Sequence, residues 1–448
     1  MRAVVIGAGF AGLAAALRLR LAGLEVAVLD KQEAPGGKAI GWNGVPTGPT
    51  VLTLPEVPRT IFQALGAEPP TLEPVSPLTR YVWPDGRTFA PQVDLEATLG
   101  QLSRIEARHY RRLLEQARQL YEGVGGTFIQ GSPPTLSAIL GYGLRHGLAA
   151  HPLEPLPRLV ASGPYLTPFF LRFATYLGAN PYRAPAVLHN IAWVELGLGV
   201  YHLEGGMRAL ADALYRLAAL QGVRFEFGVY VGDLELRKGQ VVAARAGDAR
   251  YFADVFVSAV DRHFTLGMLD WPAPHYELGT SGLALLMRLS EAQPLAHQIY
   301  FSADYRSEWR ELEAGRFSQD PTLYLHTDGD TAFLLVNTPN LRRLGEVSFE
   351  EYAQFLLGKL QAVHPLPVRD WKALSPQDYA FTAYQGAFYG KAPHGLLGAL
   401  RPGWRLGNLQ NLVQVGGTVH PGGGVPLAML SGWNGAAWLL DRNRGERG

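Results

Sequence analysis

Three glycine-rich stretches and two titratable side chains, one of them within the third stretch, are the parts of this 448-residue chain whose residue types could do chemistry. The first stretch is Gly7-Ala8-Gly9-Phe10-Ala11-Gly12, followed eighteen positions later by Asp30, the spacing of a dinucleotide fingerprint. Gly7 permits the tight turn, Gly9 lets backbone approach a pyrophosphate, and Gly12 lets a helix pack closely on strands. Asp30 is placed to accept hydrogen bonds from a ribose diol. The second stretch, Pro35-Gly36-Gly37-Lys38, puts a glycine pair and a cation a few residues beyond that acid. The third runs Gly416-Gly417-Thr418-Val419-His420-Pro421-Gly422-Gly423-Gly424-Val425-Pro426, directly ahead of an apolar helical segment at 427–440. A helix N-terminus there offers amides and the positive end of a dipole to negative charge. Glu195 and His420 are the candidate proton acceptors. Glu195 reads equally as a surface acid, and His420 reads first as a hydrogen-bonding anchor of its loop.

These residues need elements to hold them. Residues 2–6 read as a short buried strand, 13–19 as an Ala/Leu-rich helix and 25–29 as a second strand. After Gly199 the pattern resumes with a helix over 208–220 and strands over 223–227 and 229–236. A β-meander continues through 241–246 and 251–252, and an apolar strand, 254–261, is suited to the interior of a parallel sheet. Residues 411–415 make the last strand. Between these blocks lie a Gly/Pro-rich loop at 41–58, a helix at 58–65 and a hairpin at 80–89 turning on Asp85-Gly86. Helical patterns cover 95–122 and 135–177, antiparallel alternation covers 282–337, and a helix at 348–363 leads to a strand at 370–374. The division expected is a nucleotide-binding domain in three pieces (1–78, 199–275 and 401–448) around a second domain in two (79–198 and 276–400).

Composition narrows the function. The chain is 47% hydrophobic and 18% charged with a net charge of +1, which gives no reason to expect nucleic-acid binding. It has no cysteine, so disulfides, thiolate metal sites and a redox CxxC are excluded, and no metal site is expected. No apolar run reaches the length of a membrane span, and no leader is expected ahead of the first strand. Residues 153–177, rich in Leu, Tyr and Phe and broken by prolines, read either as an ordinary helical core or as the wall of a greasy tunnel touching a bilayer. On the second reading Arg145, Arg158, Phe169, Phe170 and Arg172 would sit at the interface.

Taken together, GAGFAG with Asp30 and Gly37-Lys38, the mid-chain GVYHLEGGMRAL, Ser375-Pro376-Gln377-Asp378-Tyr379 with Gly386 and Gly390, and the terminal VGGTVHPGGGVPLAMLSG resemble the carotenoid desaturases of the bacterial phytoene-desaturase type. The terminal motif is most similar to the hydroxycarotenoid 3,4-desaturase branch. Two departures are visible: Lys38 stands where the family has arginine, and Pro46 stands where its F-D-x-G-P passage has aspartate.

The resemblance implies an α/β fold. Its parts are a Rossmann-like FAD-binding domain (parallel sheet plus β-meander), a discontinuous α+β substrate domain and a helical, membrane-facing cap. It implies FAD as cofactor and an acyclic carotenoid as substrate. It further implies a cytoplasmic enzyme peripheral to the inner face of the cell membrane, passing electrons to a quinone or to oxygen. Carried over, Gly7, Gly9, Phe10, Ala11, Gly12, Asp30, Lys31, Gly37 and Lys38 surround the ADP portion, and Val231 offers backbone to the adenine. Pro49 and Thr50 lie under the ring, and Gly416, Gly417, His420, Gly424, Val425 and Pro426 line it. The competing activities on the same scaffold are redox-neutral carotenoid isomerisation and amine oxidation.

Overall fold

The computed structural model describes residues 1–39, 41–124, 131–135, 154–395 and 398–445. Its organising element is the strand Arg2–Ile6, buried from its second residue onward. That strand lies in the middle of a five-stranded sheet ordered Leu412–Gln414, Val255–Ser258, Arg2–Ile6, Glu25–Asp30, Arg224–Phe227. All four pairings are parallel, with Val4 opposite Ala27 on one side and Phe256 on the other. Parallel strands are buried on both faces, which accounts for their unbroken apolar runs. Ala3 and Val5 point into a core shared with the helices Phe10–Leu21, Gly206–Leu220 and Val425–Gly445. Val4 and Ile6 point the other way, into a core shared with the antiparallel meander Asp233–Arg237, Gln240–Ala246 and Ala249–Phe252.

A second sheet is built on the 20-residue strand Ser281–Tyr300. It pairs antiparallel with Leu323–Thr338 and Val368–Leu374 and parallel with Arg80–Val82, whose hairpin partner is Thr88–Phe89. The two long strands are separated by the helix Tyr305–Glu313, capped by the Asp304 carboxylate, so the alternation read over 282–337 is interrupted by a helical turn signal. The strand expected at 229–236 begins only at Asp233, because Val229 already bonds to the Asp30 carbonyl and the chain crosses the end of the parallel sheet there.

The helical patterns are shorter than expected. Residues 95–122 resolve into Leu95–Leu99 and Arg104–Val124, broken after Gly100. From 135 to 177 the expectation falls partly outside the described residues. The described remainder is cut into Leu156–Leu159, which starts on Pro155 and stops ahead of Pro164, Leu166–Leu171, and a 3₁₀ turn, Arg172–Leu177, that ends on the left-handed Gly178.

The interfacial reading of this segment is corrected by burial. Phe169 and Phe170 have no exposed surface. Phe169 meets Tyr81 edge-on at 4.7 Å, and Phe170 meets His189 at 5.3 Å. Arg172 is buried too, Arg158 is exposed, and Arg145 lies outside the described residues. Aromatic and arginine side chains suit a core as well as an interface, and here the hairpin 80–89 covers Phe169 and Arg172 while Tyr110 and His189 cover Phe170. Phe170→Leu is therefore expected to cost about 1–2 kcal/mol in a thermal melt, as a core truncation does. No helix among the described residues is long and apolar enough to cross a membrane.

Candidate active site

The fingerprint assembles as its glycines require. Gly7 adopts φ +103, and a Cβ on Gly12 would lie 1.8 Å from the Gly7 carbonyl oxygen, so the helix sits directly on the turn. Gly9 differs: a Cβ there would meet nothing closer than the Gly37 Cα, at 3.6 Å. Gly9 and Gly37 pack backbone to backbone, and both line a cavity of about 1040 Å³. The helix Phe10–Leu21 has no acidic residue in its first turn and no side-chain cap, so its leading amides are free for an anion. Asp30 ends the second strand, where its carboxylate accepts from the amides of Ala8 (2.5 Å) and Gln32 (2.8 Å). Burial pushes its pKa up against those bonds. Asp30, Phe10, Ala11 and Val231 all line the cavity, and Gly12 stands behind it.

The two lysines are engaged with the protein as well as the cavity. The Lys38 ammonium donates to the Phe388 carbonyl, and burial lowers its pKa against the pull of Asp261. Lys31 donates to the Phe381 carbonyl and lies 3.9 Å from that ring's centroid.

At the opposite side, Gly416, Gly417, His420, Gly424, Val425 and Pro426 line the same cavity. Gly416 and Gly424 take φ +116 and +101, values that L side chains rarely adopt. The loop is held from behind: Ser431 Oγ accepts from the Gly416 amide (2.9 Å) and donates to the His420 carbonyl (2.7 Å), and Trp404 Nε1 donates there too (2.8 Å). Gly423 lies against the Tyr389 ring, 2.0 Å from where its Cβ would be, so this loop and the Gly386…Gly390 passage are seated on each other. The helix that follows crosses Phe10–Leu21 at Gly432, whose Cβ would meet the Ala11 oxygen at 1.9 Å. The N-termini of these two helices thus face one cavity.

The proposed proton acceptors behave as anchors. His420 Nε2 is 3.0 Å from the Gly131 carbonyl, a partner that requires Nε2 to carry the proton, and burial lowers the ring's pKa so that it is neutral. Glu195 is fully buried, which excludes the surface-acid reading. Its Oε1 accepts from Arg172 Nη2 (2.7 Å) and the Tyr81 hydroxyl (3.3 Å), and its Oε2 accepts from the Tyr176 hydroxyl. A carboxylate with its lone pairs so occupied is an ion-pair partner, and its candidacy as a base is corrected accordingly.

The cavity continues beyond the glycine loops along an apolar wall of Val187, Leu188, Ile191, Val194, Ile299, Phe333 and Leu335. Pro49 and Thr50 lie at the junction, with Gly48 tight against the Phe333 ring. Tyr324, Asn337, Tyr389 and Arg401 also line the cavity, and sequence reasoning missed them. Arg401 is a buried cation whose guanidinium donates to the carbonyls of Tyr389 (2.9 Å) and Leu177 (3.1 Å), and burial pushes its pKa down to about 10. Nothing local marks these positions, since their roles come from strands and loops distant in sequence.

Behind the wall, Glu308 accepts from Ser302 (2.9 Å) and Thr322 (2.7 Å), and burial raises its pKa to about 7. Raising an acid's folded pKa means the native state holds a proton that the unfolded chain has lost. Stability therefore falls as pH rises from about 4.5 to about 7, by at most about 1.4 kcal/mol per pH unit. Glu308→Gln should flatten that slope in denaturant titrations run across the window.

The residues around the first glycine turn fit FAD: bare glycine backbone at Gly7, Gly9 and Gly37 along the cavity, an uncapped helix start, and a buried acid at the strand end. Comparison with known proteins agrees. A model of the flavin containing amine oxidoreductase family matches residues 10–440. The chain is 34% identical to a hydroxyneurosporene desaturase of Cereibacter sphaeroides, over 98% of this chain and 97% of that protein. It is 28% identical to a 1-hydroxycarotenoid 3,4-desaturase of Flavobacterium sp. (strain P99-3), over 96% and 97%. Its fold resembles cyclohexylamine oxidase from Brevibacterium oxydans IH-35A at a TM-score of 0.63 and 16% identity, covering 99% of each chain. With a mixed α/β fold, a parallel sheet and two helix N-termini around one cofactor-sized cavity, this chain belongs to the flavin containing amine oxidoreductase family, as an FAD-dependent oxidoreductase.

Proposed function

We propose that the chain is an FAD-dependent carotenoid desaturase that extends the conjugated polyene of an acyclic carotenoid, with a 1-hydroxycarotenoid as its substrate. The observation that carries this reading is the continuity of one cavity from the fingerprint to a long apolar wall, in a chain whose curated relatives are carotenoid desaturases. An extended hydrocarbon is bound there by burial alone. An amine would need a desolvated partner, and the buried carboxylate on this wall, Glu195, is already neutralised by Arg172.

FAD supplies the hydride acceptor for such a dehydrogenation. The protein's own part is to fix the cofactor between the two helix N-termini, to hold the polyene against the apolar wall and to exclude water. Because carotenoids partition into lipid, the enzyme works peripherally at the inner face of the cell membrane. A quinone or oxygen takes the electrons.

The test is to load the protein with FAD, add liposomes carrying hydroxylated or unhydroxylated acyclic carotenoids, and follow absorption. A red-shift that needs an electron acceptor supports desaturation. Isomerisation without net electron transfer, or peroxide release from simple amines with no red-shift, would replace this reading.

A further inference from the structure

One part of the substrate wall has no use for a hydrocarbon. Thr50 Oγ1 and the Tyr324 hydroxyl, both lining the cavity, lie 2.5 Å apart, and the Tyr324 hydroxyl is 2.8 Å from His297 Nδ1. Thr50 comes from the Gly48-Pro49 loop and Tyr324 from the strand Leu323–Thr338, so the pair spans the junction between the cofactor loops and the apolar wall. His297 is buried and stacks at 4.6 Å on His326, and burial keeps both imidazoles neutral. We propose that this Thr50–Tyr324–His297 chain is a hydroxyl-recognition site that selects a carotenoid carrying a terminal hydroxyl near the carbons being desaturated. The inference rests on the desaturase reading and names the residues that would set its specificity.

The proton count supports a hydroxyl over other polar groups. If His297 Nδ1 accepts, Tyr324 donates to it and Thr50 donates to Tyr324, which leaves the Thr50 oxygen able to accept. If Nδ1 carries the proton, both bonds reverse and Thr50 keeps a free O–H to donate. In either sense one hydrogen-bonding capacity of Thr50 remains unspent. An alcohol, both donor and acceptor, uses whichever capacity is left in both arrangements, whereas a carbonyl can only accept, and an ammonium can only donate and leaves the free O–H of the second arrangement unpaired. The neighbouring polar group cannot serve, because Arg172, Tyr176, Tyr81 and Glu195 satisfy each other.

The test compares a 1-hydroxylated acyclic carotenoid with its unhydroxylated counterpart of equal length, on FAD-loaded protein in liposomes. For Tyr324→Phe and Thr50→Val, kcat/KM for the hydroxylated substrate should fall about tenfold more than for the hydrocarbon, mostly through KM. Thr50→Ser, which keeps the hydroxyl, should retain the preference. Flavin absorbance per protein reports whether each variant is folded and loaded, and fluorescence quenching gives the two binding constants without turnover. A preference ratio unchanged in both loaded variants, or lost equally in Thr50→Ser, overturns this inference while leaving the desaturase reading intact. If the wild-type protein converts neither carotenoid, the desaturase reading fails and this inference fails with it.

Discussion

Gly9→Val is expected to give a folded protein that no longer holds FAD. Gly9 has φ −74 and ψ 178, a conformation open to any L residue, and its nearest neighbour on the Cβ side is 3.6 Å away. A Cβ there makes ordinary contact with the Gly37 backbone, without the clash found at Gly12. The added methyl groups crowd the Gly37 backbone and the cavity edge that both glycines line, and so disturb the close backbone contact a pyrophosphate needs. Losing two or three charge-assisted bonds to the phosphates should weaken binding roughly a hundredfold or more, equivalent to about 3 kcal/mol. Gly12→Val is the contrasting control: its Cβ would lie 1.8 Å from the Gly7 oxygen, so this variant should fail to fold rather than fold empty. Flavin absorbance per protein and a melting curve separate the two. Full flavin occupancy in Gly9→Val would remove the fingerprint from the cofactor site.

The second large effect belongs to Arg172 and Glu195. Arg172→Met strands the Glu195 carboxylate in the core with two phenols and the Thr79 hydroxyl as its remaining partners. Breaking a buried pair from one side costs about 3–5 kcal/mol, because the other charge stays buried and uncompensated. Glu195→Gln strands the guanidinium in the same way, and the double variant Arg172→Met/Glu195→Gln should recover much of the loss. Thermal unfolding of the three variants measures this directly. A Glu195→Gln protein with normal stability but no turnover would return Glu195 to the role of base.

The contrast between Gly12 and Glu195 shows where sequence reading ends. Gly12 was legible because its function is local: a strand, a tight turn and a helix follow each other within a few residues, and one missing Cβ lets them meet. The terminal Gly416–Pro426 loop was legible for the same reason, lying between a short strand and a helix start. Glu195 was not, because an acid ahead of a glycine motif says nothing about Arg172 or Tyr81. Those partners arrive from another helix and another sheet.

By itself the sequence determined the fingerprint and the parallel sheet with its meander, since each follows from short-range periodicity and from glycines that only certain turns demand; the flavin was implied by the resemblance of its motifs to a known family. The tertiary structure decided whether an ambiguous side chain is wall, core or surface. Phe169 and Phe170 have the composition of a membrane interface, and only the packing of the hairpin 80–89 on Phe169 and of Tyr110 and His189 on Phe170 makes them core. Thr50 and Tyr324 stand 274 residues apart, yet they share a hydrogen bond on the cavity wall. Chemistry of that kind depends on contacts between distant segments, and these form only when the two sheets close around the cofactor site.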